Sequence, residues 1–444
     1  MIVDKAQLSI LILWDDAGQT ASTVRTHVQE LMRHSRHAVR SLSMMGNIPE
    51  HLNLDSFDVI VIHYSIVMAD ERYLSPAAKQ KLRASRATKV AFIQDEYRFV
   101  DQTINAVRDI NIRVLFTCVP EGEIEKVYPQ AKLPDVQKVN VLTGYVDLAL
   151  ISRSTPAYRE RPIDIGYRAR KVPPWLGELG QEKWNIGRRV KEDAGAFRLV
   201  VDLAYREEER LYGEKWINFL SNCKATLGVE SGASVFDFSG DIQRKVECAL
   251  EKNPCMRFEE LQERYFLEAE GKIRLNQISP RCFEAAALRT LMILYEGEYS
   301  KRMIPWKHYV PLRKDHANFQ EVVDVLKDPV KAGIIIDRAY HEVALNPDNS
   351  YMAFANIFDN AISSYLGSRY SPVDNVYSDE LFDSVVLLEK RVNQRSRFTR
   401  RVWTWTYFFI FGKVLSVLSE RSRDRIQVAL TRRLRPVYRW LFKR

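Results

Sequence analysis

The chain has 444 residues, 46% of them hydrophobic and 28% charged, with 18 Gly and 17 Pro. Those values exclude wholesale disorder and fibrous or low-complexity architecture, and the length suits two to four domains at roughly 100–200 residues each. The formal charge of +9 is uneven: residues 391–444 hold 15 Lys and Arg against two acids, a net of +13, which leaves the preceding body at −4. Any partner argument from charge therefore belongs to the tail.

In chain order, an apolar run at Leu8–Trp14 lies between Asp4 and Asp15-Asp16 and is not followed by a small-residue cleavage site. It reads as a first strand rather than a signal peptide. A helix follows around Thr20–Arg36, then a strand at Asp58–Ser65 and a helix opening at Ser75-Pro76, an N-cap with proline at N1. Strands at Lys89–Tyr97, Val114–Cys118 and Val139–Val146 complete the first series. Continuous short runs rich in Val and Ile, separated by helices, predict parallel strands covered on both faces. The polar Ser152–Pro162 reads as a linker. Beyond it the pattern restarts, with strands at Asp164–Arg168, Arg198–Ala204, Ala225–Glu230, Lys272–Ile278 and Thr290–Tyr295, and helices at Phe258–Glu268 and Arg281–Leu288. The predicted fold class is α/β, two tandem Rossmann-like domains with a cleft between them. Their spans are 1–155 and 156–350, followed by closing helices over 351–397 and a basic tail over 398–444.

What is missing narrows the chemistry. No G-x-G-x-x-G follows a strand, no G-x-x-x-x-G-K-[ST] occurs, and neither a G-x-S-x-G elbow nor a D-x-D is present. The five cysteines, Cys118, Cys223, Cys248, Cys255 and Cys282, are scattered and free of C-x-x-C, which points to a reducing, cytoplasmic setting. His34 and His37 read as a surface pair on one helix, with no carboxylate to make a metal motif.

The informative stretch is Lys272–Leu312. Ser279-Pro280 opens a helix whose free N–H groups and positive dipole end form an anion site, and Arg281 adds a charge suited to phosphate. Glu284, one turn in, either clamps a diol or merely complements the helix dipole. Arg168 at the end of the DIGYR strand, with Lys171 and Lys183 downstream, either meets a diphosphate or is solvated beside a Pro-rich loop. Glu230-Ser231-Gly232 ends another strand, where glycine permits close backbone approach and Ser and Glu suit sugar hydroxyls, the alternative being a plain turn. Of Glu296 and Glu298, one faces the sugar and the other solvent. In the first domain, Asp95, His63 and Asp15 stand at strand ends as candidate bases for an acceptor hydroxyl, against the alternative of helix caps or satisfied buried polars.

The run S-P-R-C-F-E-A-A-A-L-R-T-L, with E-G-E-Y-S, H-Y-V-P-L-R-K-D and N-F-Q-E-V after it, resembles glycosyltransferases of the GT-B fold, the CgeB-like or glycosyltransferase family 1 group. The resemblance covers about residues 160–345 well and the first domain loosely. It implies that Glu284 holds the donor ribose, that Arg168 and Lys183 meet the diphosphate, and that no catalytic metal or other cofactor is used. Many relatives carry an earlier glutamate in an E-x7-E pattern. Here that position is Asn276. The implied activity is transfer of a sugar from a nucleotide-diphosphate donor to a saccharide or lipid-linked saccharide in surface-polysaccharide assembly. An epimerase or hydrolase on the same fold, or a non-catalytic tethered binding protein, is the alternative.

In the tail, residues 402–412 are uncharged and aromatic-rich, and Ile426, Leu430, Leu434, Val437 and Leu441 recur at helical spacing among arginines. That pattern predicts a basic amphipathic helix on an anionic membrane surface, so the protein is expected at the inner face of the plasma membrane. Nucleic acid is not an expected partner, because the basic residues interleave with apolar runs and the body is acidic.

Overall fold

The computed structural model describes residues 7–16, 22–367, 370, 372–373 and 377–389. The tail expected over 398–444 lies outside the described residues. The first unit is β1 (Ser9–Trp14), α1 (Ser22–His34), β2 (Ala38–Ser43), β3 (Val59–Ile62), α2 (Pro76–Ala84), β4 (Thr88–Ile93), α3 (Val100–Ile110), β5 (Ile112–Thr117), α4 (Ile124–Val127) and β6 (Gln137–Asn140). Its strands form one parallel sheet in the order β2-β1-β3-β4-β5-β6. β1 and β3 are buried along their whole length, as strands covered by helices on both faces must be.

After α5 (Leu148–Ile151) the second unit runs β7 (Ile163–Arg168), α6 (Gly177–Ala194), β8 (Val201–Ala204), α7 (Glu214–Ser221), β9 (Cys223–Gly228), α8 (Asp241–Lys252), α9 (Phe258–Tyr265), α10 (Pro280–Ala287), β10 (Leu291–Tyr295), β11 (Val310–Leu312), α11 (Phe319–Lys327) and α12 (Pro329–Ala339). Its parallel sheet has the order β11-β10-β9-β7-β8. Both sheets are thus wound alike. The chain reverses direction of travel across the sheet at β1/β3 in one and at β7/β9 in the other, the points at which such folds leave a crevice. Two Rossmann-like sheets in tandem are the α/β architecture that the alternating pattern predicted.

Four sequence expectations are corrected. Lys272–Ile278 is not a regular strand; only Gln277 pairs, exchanging both backbone bonds with Ser231 at 2.7 and 2.8 Å. β2 and β11 went unread, one being half polar and the other three residues around a proline. The expected strand Val139–Val146 is a strand only at its start, since β6 ends at Asn140, whereas the Ser152–Pro162 linker does join the two sheets and is held by buried Arg161, which donates to the Cys223 carbonyl at 2.9 Å, Thr290 Oγ1 at 2.9 Å and the Leu288 carbonyl at 3.0 Å. His37 is buried beyond the end of α1, so it makes no surface pair with His34, which instead faces Glu30 at 3.0 Å.

The closing helix α13 (Tyr351–Leu366) returns to the first sheet. Phe354 and Phe358 pack on Phe92, Phe358 also on Phe116, and Asp359 accepts from Ser35 Oγ at 2.6 Å and the Arg36 N–H at 2.9 Å. A further helix over 379–389 follows, with Tyr377 and Phe382 against Phe57. The chain's last described segments therefore tie the second unit back to the first.

Candidate functional site

A cavity of about 410 Å³ lies between the two sheets. From the first unit it takes Gln94, Asp95, Tyr97 and Arg98, just past the carboxyl end of β4, with Cys118 and Thr143. From the second it takes the ends of β7 and β9, Lys183 of α6, and the start of α10. This is the β7/β9 switch point, where the fold leaves room for a ligand.

The start of α10 forms the floor. Ser279 is in extended backbone ahead of Pro280, and its carbonyl accepts from the Cys282 N–H at 2.9 Å. Its hydroxyl makes no cap bond to the helix, and the residue lines the cavity. The first unit clamps this corner: Thr143 Oγ1 donates to the Ile278 carbonyl at 2.6 Å, and a side chain at Gly144 would meet the Pro280 ring. Ser231 and Gly232 form the opposite wall. Gly232 has φ +133°, and a Cβ there would overlap the Leu275 carbonyl oxygen, so only glycine fits.

Cations converge on this space. Lys183, Arg281, Arg170, Arg210 and Arg98 all line it, while Asp95 is the one acid among the lining residues. Arg281 donates to the Arg168 carbonyl and stands over the Trp216 ring, 4.9 Å from its centre. Arg170 and Arg210 share Glu207, at 3.9 and 3.0 Å. Burial pulls the Lys183 ammonium down to about 8; the facing Asp95 opposes that shift, and Arg281, Arg170 and Arg210 reinforce it. A cavity that holds like charges this close favours an anion.

The sequence-predicted residues divide. Asp95, Lys183, Ser231, Gly232, Ser279 and Arg281 line the cavity. Arg168 does not. Its guanidinium pairs with Asp202 at 2.9 Å and lies 4.1 Å from the centre of the Phe219 ring, so it braces β7 against β8 rather than meeting a ligand. Glu230 does not either. Its carboxylate accepts from Asn276 Nδ2 at 2.8 Å and from the N–H groups of Glu298 at 3.1 Å and Tyr299 at 2.8 Å. It is buried there and fixes the loop after β10. Asn276 is held by that same carboxylate. Glu298 and Glu296 are exposed and outside the lining.

Glu284 stands one turn behind the cavity wall, accepting from Trp216 Nε1 at 2.8 Å. Burial raises its carboxyl above the ordinary range, while the indole bond and Arg281 oppose that shift. His63 is buried under α1, with Nε2 3.2 Å from His27 Nδ1 and Nδ1 2.9 Å from Ser65 Oγ. Burial, with His27 adding to it, holds His63 well below its usual value. It has no access to an acceptor. Asp15 follows β1 and stays outside the lining, its N–H donating to Ser65 Oγ at 2.9 Å. Glu96, beside Asp95, points inward to Thr117 Oγ1, the Cys118 N–H and Tyr128 Oη, each at 2.6 Å; burial raises it to about 7. Arg170, Arg210 and Arg98 were not read from the sequence. Arg170 carried a usable signal, two residues past a strand end; the other two needed the tertiary fold.

No family model and no curated protein matches the chain. Among solved structures it is similar to an alpha-glucosyltransferase in complex with UDP and a 13-mer DNA containing a HMU base, at 10% identity over 81% of this chain and 100% of that one, with a TM-score of 0.47. It is also similar to Anabaena HepE in complex with UDP, at 10% identity over 80% and 100%, with a TM-score of 0.45. A third likeness is to the pneumococcal O-GlcNAc transferase GtfA in complex with UDP and GlcNAc, at 10% identity over 71% and 58%, with a TM-score of 0.36. At these values the likenesses carry no argument about substrate, which rests on the cavity.

Proposed function

We propose that the chain is a metal-independent glycosyltransferase that moves a sugar from a nucleotide-diphosphate donor to a saccharide acceptor. The observation that carries this is the convergence of Lys183, Arg281, Arg170 and Arg210 with the amino end of α10 at the β7/β9 switch point. Departure of a nucleoside diphosphate develops negative charge, and preorganised cations and helix N–H groups at that place stabilise it without a metal. The donor then lies on the second unit. Asp95, across the cavity on the first, is positioned to take the proton of an acceptor hydroxyl. The Ser279 hydroxyl and the Ser231–Gly232 wall supply polar contacts to the donor, and Glu284 acts one step back, through Trp216 and Arg281. In this reading the acceptor is a lipid-linked saccharide of surface-polysaccharide assembly, and the tail over 398–444 holds the enzyme at the cytoplasmic membrane face.

The test pairs binding with turnover. UDP-, GDP-, TDP- and CMP-sugars are screened by thermal shift, where a ligand at 100 times its Kd adds about 2.7 kcal/mol. Transfer to saccharide acceptors is then followed with and without EDTA. One nucleotide class should stabilise the protein, and transfer should survive EDTA. Stabilisation by none of them overturns the donor site; loss of transfer in EDTA with rescue by Mg²⁺ or Mn²⁺ overturns metal independence.

A further inference from the structure

Between β10 and β11 the chain makes a tight loop, Lys301-Arg302-Met303-Ile304-Pro305-Trp306-Lys307-His308. Ile304 and Trp306 are 51% and 42% exposed, and Pro305 between them is exposed as well. An isolated exposed apolar residue needs no explanation. Three in a row on a loop that is rigidly held do.

The loop is not a slack segment that happens to lie outside. Met303 and Tyr309 anchor its two ends in the core, and His308 is buried beneath it. The Ile304 N–H donates to His308 Nδ1 at 3.1 Å and the His308 N–H returns to the Ile304 carbonyl at 2.9 Å. The Trp306 N–H donates to the Tyr309 carbonyl at 2.8 Å, and His308 Nε2 lies 3.2 Å from Glu342. Four non-glycine residues, Tyr299, Ser300, Lys301 and Trp306, have φ between +45° and +62°. A fold that fixes side chains in this costly backbone region holds its loop to one shape. Here that shape keeps an isoleucine, a proline and a tryptophan in water.

Four cations lie around the tip. Lys301, Arg302 and Lys307 are in the loop itself, and Arg338 of α12 is close enough to act on His308. Against them stand Glu296 and Glu298, exposed earlier in the same connection, and Glu342, which pairs with Lys307 at 2.5 Å. Along the neighbouring α12 and the turn after it, Val330, Ile334, Arg338 and Leu345 succeed one another at helical spacing, the three apolar ones exposed. Tryptophan and aliphatic side chains flanked by Lys and Arg match the boundary between acyl chains and anionic headgroups, where an indole has one wet and one dry side.

We propose that the Ile304–Trp306 tip inserts into the headgroup region of an anionic bilayer, a contact separate from the tail. It rests on the membrane reading above and adds an orientation to it: the second unit is held against the membrane by the β10–β11 loop, while the cavity faces the space between the units.

The test uses the full chain and vesicles of either pure phosphatidylcholine or phosphatidylcholine with phosphatidylglycerol. Ile304→Ser with Trp306→Asn removes the apolar tip without demanding new backbone, since asparagine tolerates φ near +62°. The double variant should bind anionic vesicles about tenfold more weakly and keep its thermal shift with the nucleotide donor, which shows that it is folded. Lys301→Glu should weaken binding to anionic vesicles and leave neutral ones unchanged. Leu267→Ser, which removes an exposed apolar residue elsewhere, should change nothing. Unchanged vesicle affinity of the double variant overturns the proposal, including the case in which the tip serves a protein partner. A full chain that binds no vesicles overturns the membrane reading and the tip with it.

Discussion

Lys183 is the residue on which the proposed donor site turns. It is half-buried among Arg281, Arg170 and Arg210, and burial pulls its ammonium down to about 8. It is therefore charged below that pH and loses its charge as pH rises through it; a bound diphosphate favours the charged form and moves the loss somewhat higher. Donor binding should be strong near pH 7 and weaken between about 8 and 9. Lys183→Met should cost about 10- to 100-fold in donor affinity, the worth of a hydrogen bond to a charged group, and flatten the profile over that window because arginines do not titrate there. A profile that weakens equally in the variant assigns the titration to another group. The sequence found this lysine by its place after a strand but paired it with Arg168. Nothing in D-I-G-Y-R announces that Asp202, on the adjacent strand, takes the Arg168 guanidinium. The burial of His63 is hidden from the sequence in the same way: its partner His27 lies 36 positions earlier, and only packing brings the two rings to 5.0 Å.

At the scale of elements, the segment 229–232 and the extended Leu275–Gln277 form one unit. They are joined by the two Ser231–Gln277 backbone bonds and by the Glu230–Asn276 bond. Gly232 permits that approach because its place has no room for a Cβ against the Leu275 carbonyl. Gly232→Ala should lower stability by roughly 3 kcal/mol through strain and overpacking, and the melting temperature by several degrees. It should also weaken donor binding, since the displaced wall carries Ser231. An alanine variant with wild-type melting and affinity would contradict the close packing. This unit was partly legible. The glycine after Glu-Ser marked a tight backbone, but the extended stretch before Ser279-Pro280 read as a strand because its alternation, K-I-R-L-N-Q-I, fits one. Its one ladder pair is the isolated Gln277–Ser231 bridge, so it joins neither sheet. The central strands were legible because each is a continuous apolar run. β2 and β11 were not, since an edge strand needs fewer apolar residues and β11 carries a proline.

Across the whole molecule, charge and hydrophobicity are divided between body and tail. Among the described residues no helix is long and apolar enough to cross a membrane. In sequence, residues 402–412 are uncharged and aromatic, and arginines flank them on both sides, which suits an in-plane segment with both ends on one face. Removing 398–444 takes away 12 bases and two acids and leaves the remaining chain at −1. If each near-surface Arg or Lys contributes on the order of 1 kcal/mol against anionic lipid, the tail dominates and the β10–β11 tip alone holds the protein only weakly. Residues 1–397 should therefore lose nearly all sedimentation with phosphatidylglycerol vesicles at physiological salt, a loss of at least about a hundredfold in affinity. The full chain should itself be released as salt shortens the Debye length to a few ångström near 1 M. The cavity lies wholly within the retained residues, so the truncated chain should keep its donor-induced thermal shift. Equal sedimentation of the two chains removes the tail from membrane binding. A truncated chain that no longer responds to donor places the tail in the fold instead, packed on the body that it was read as tethering.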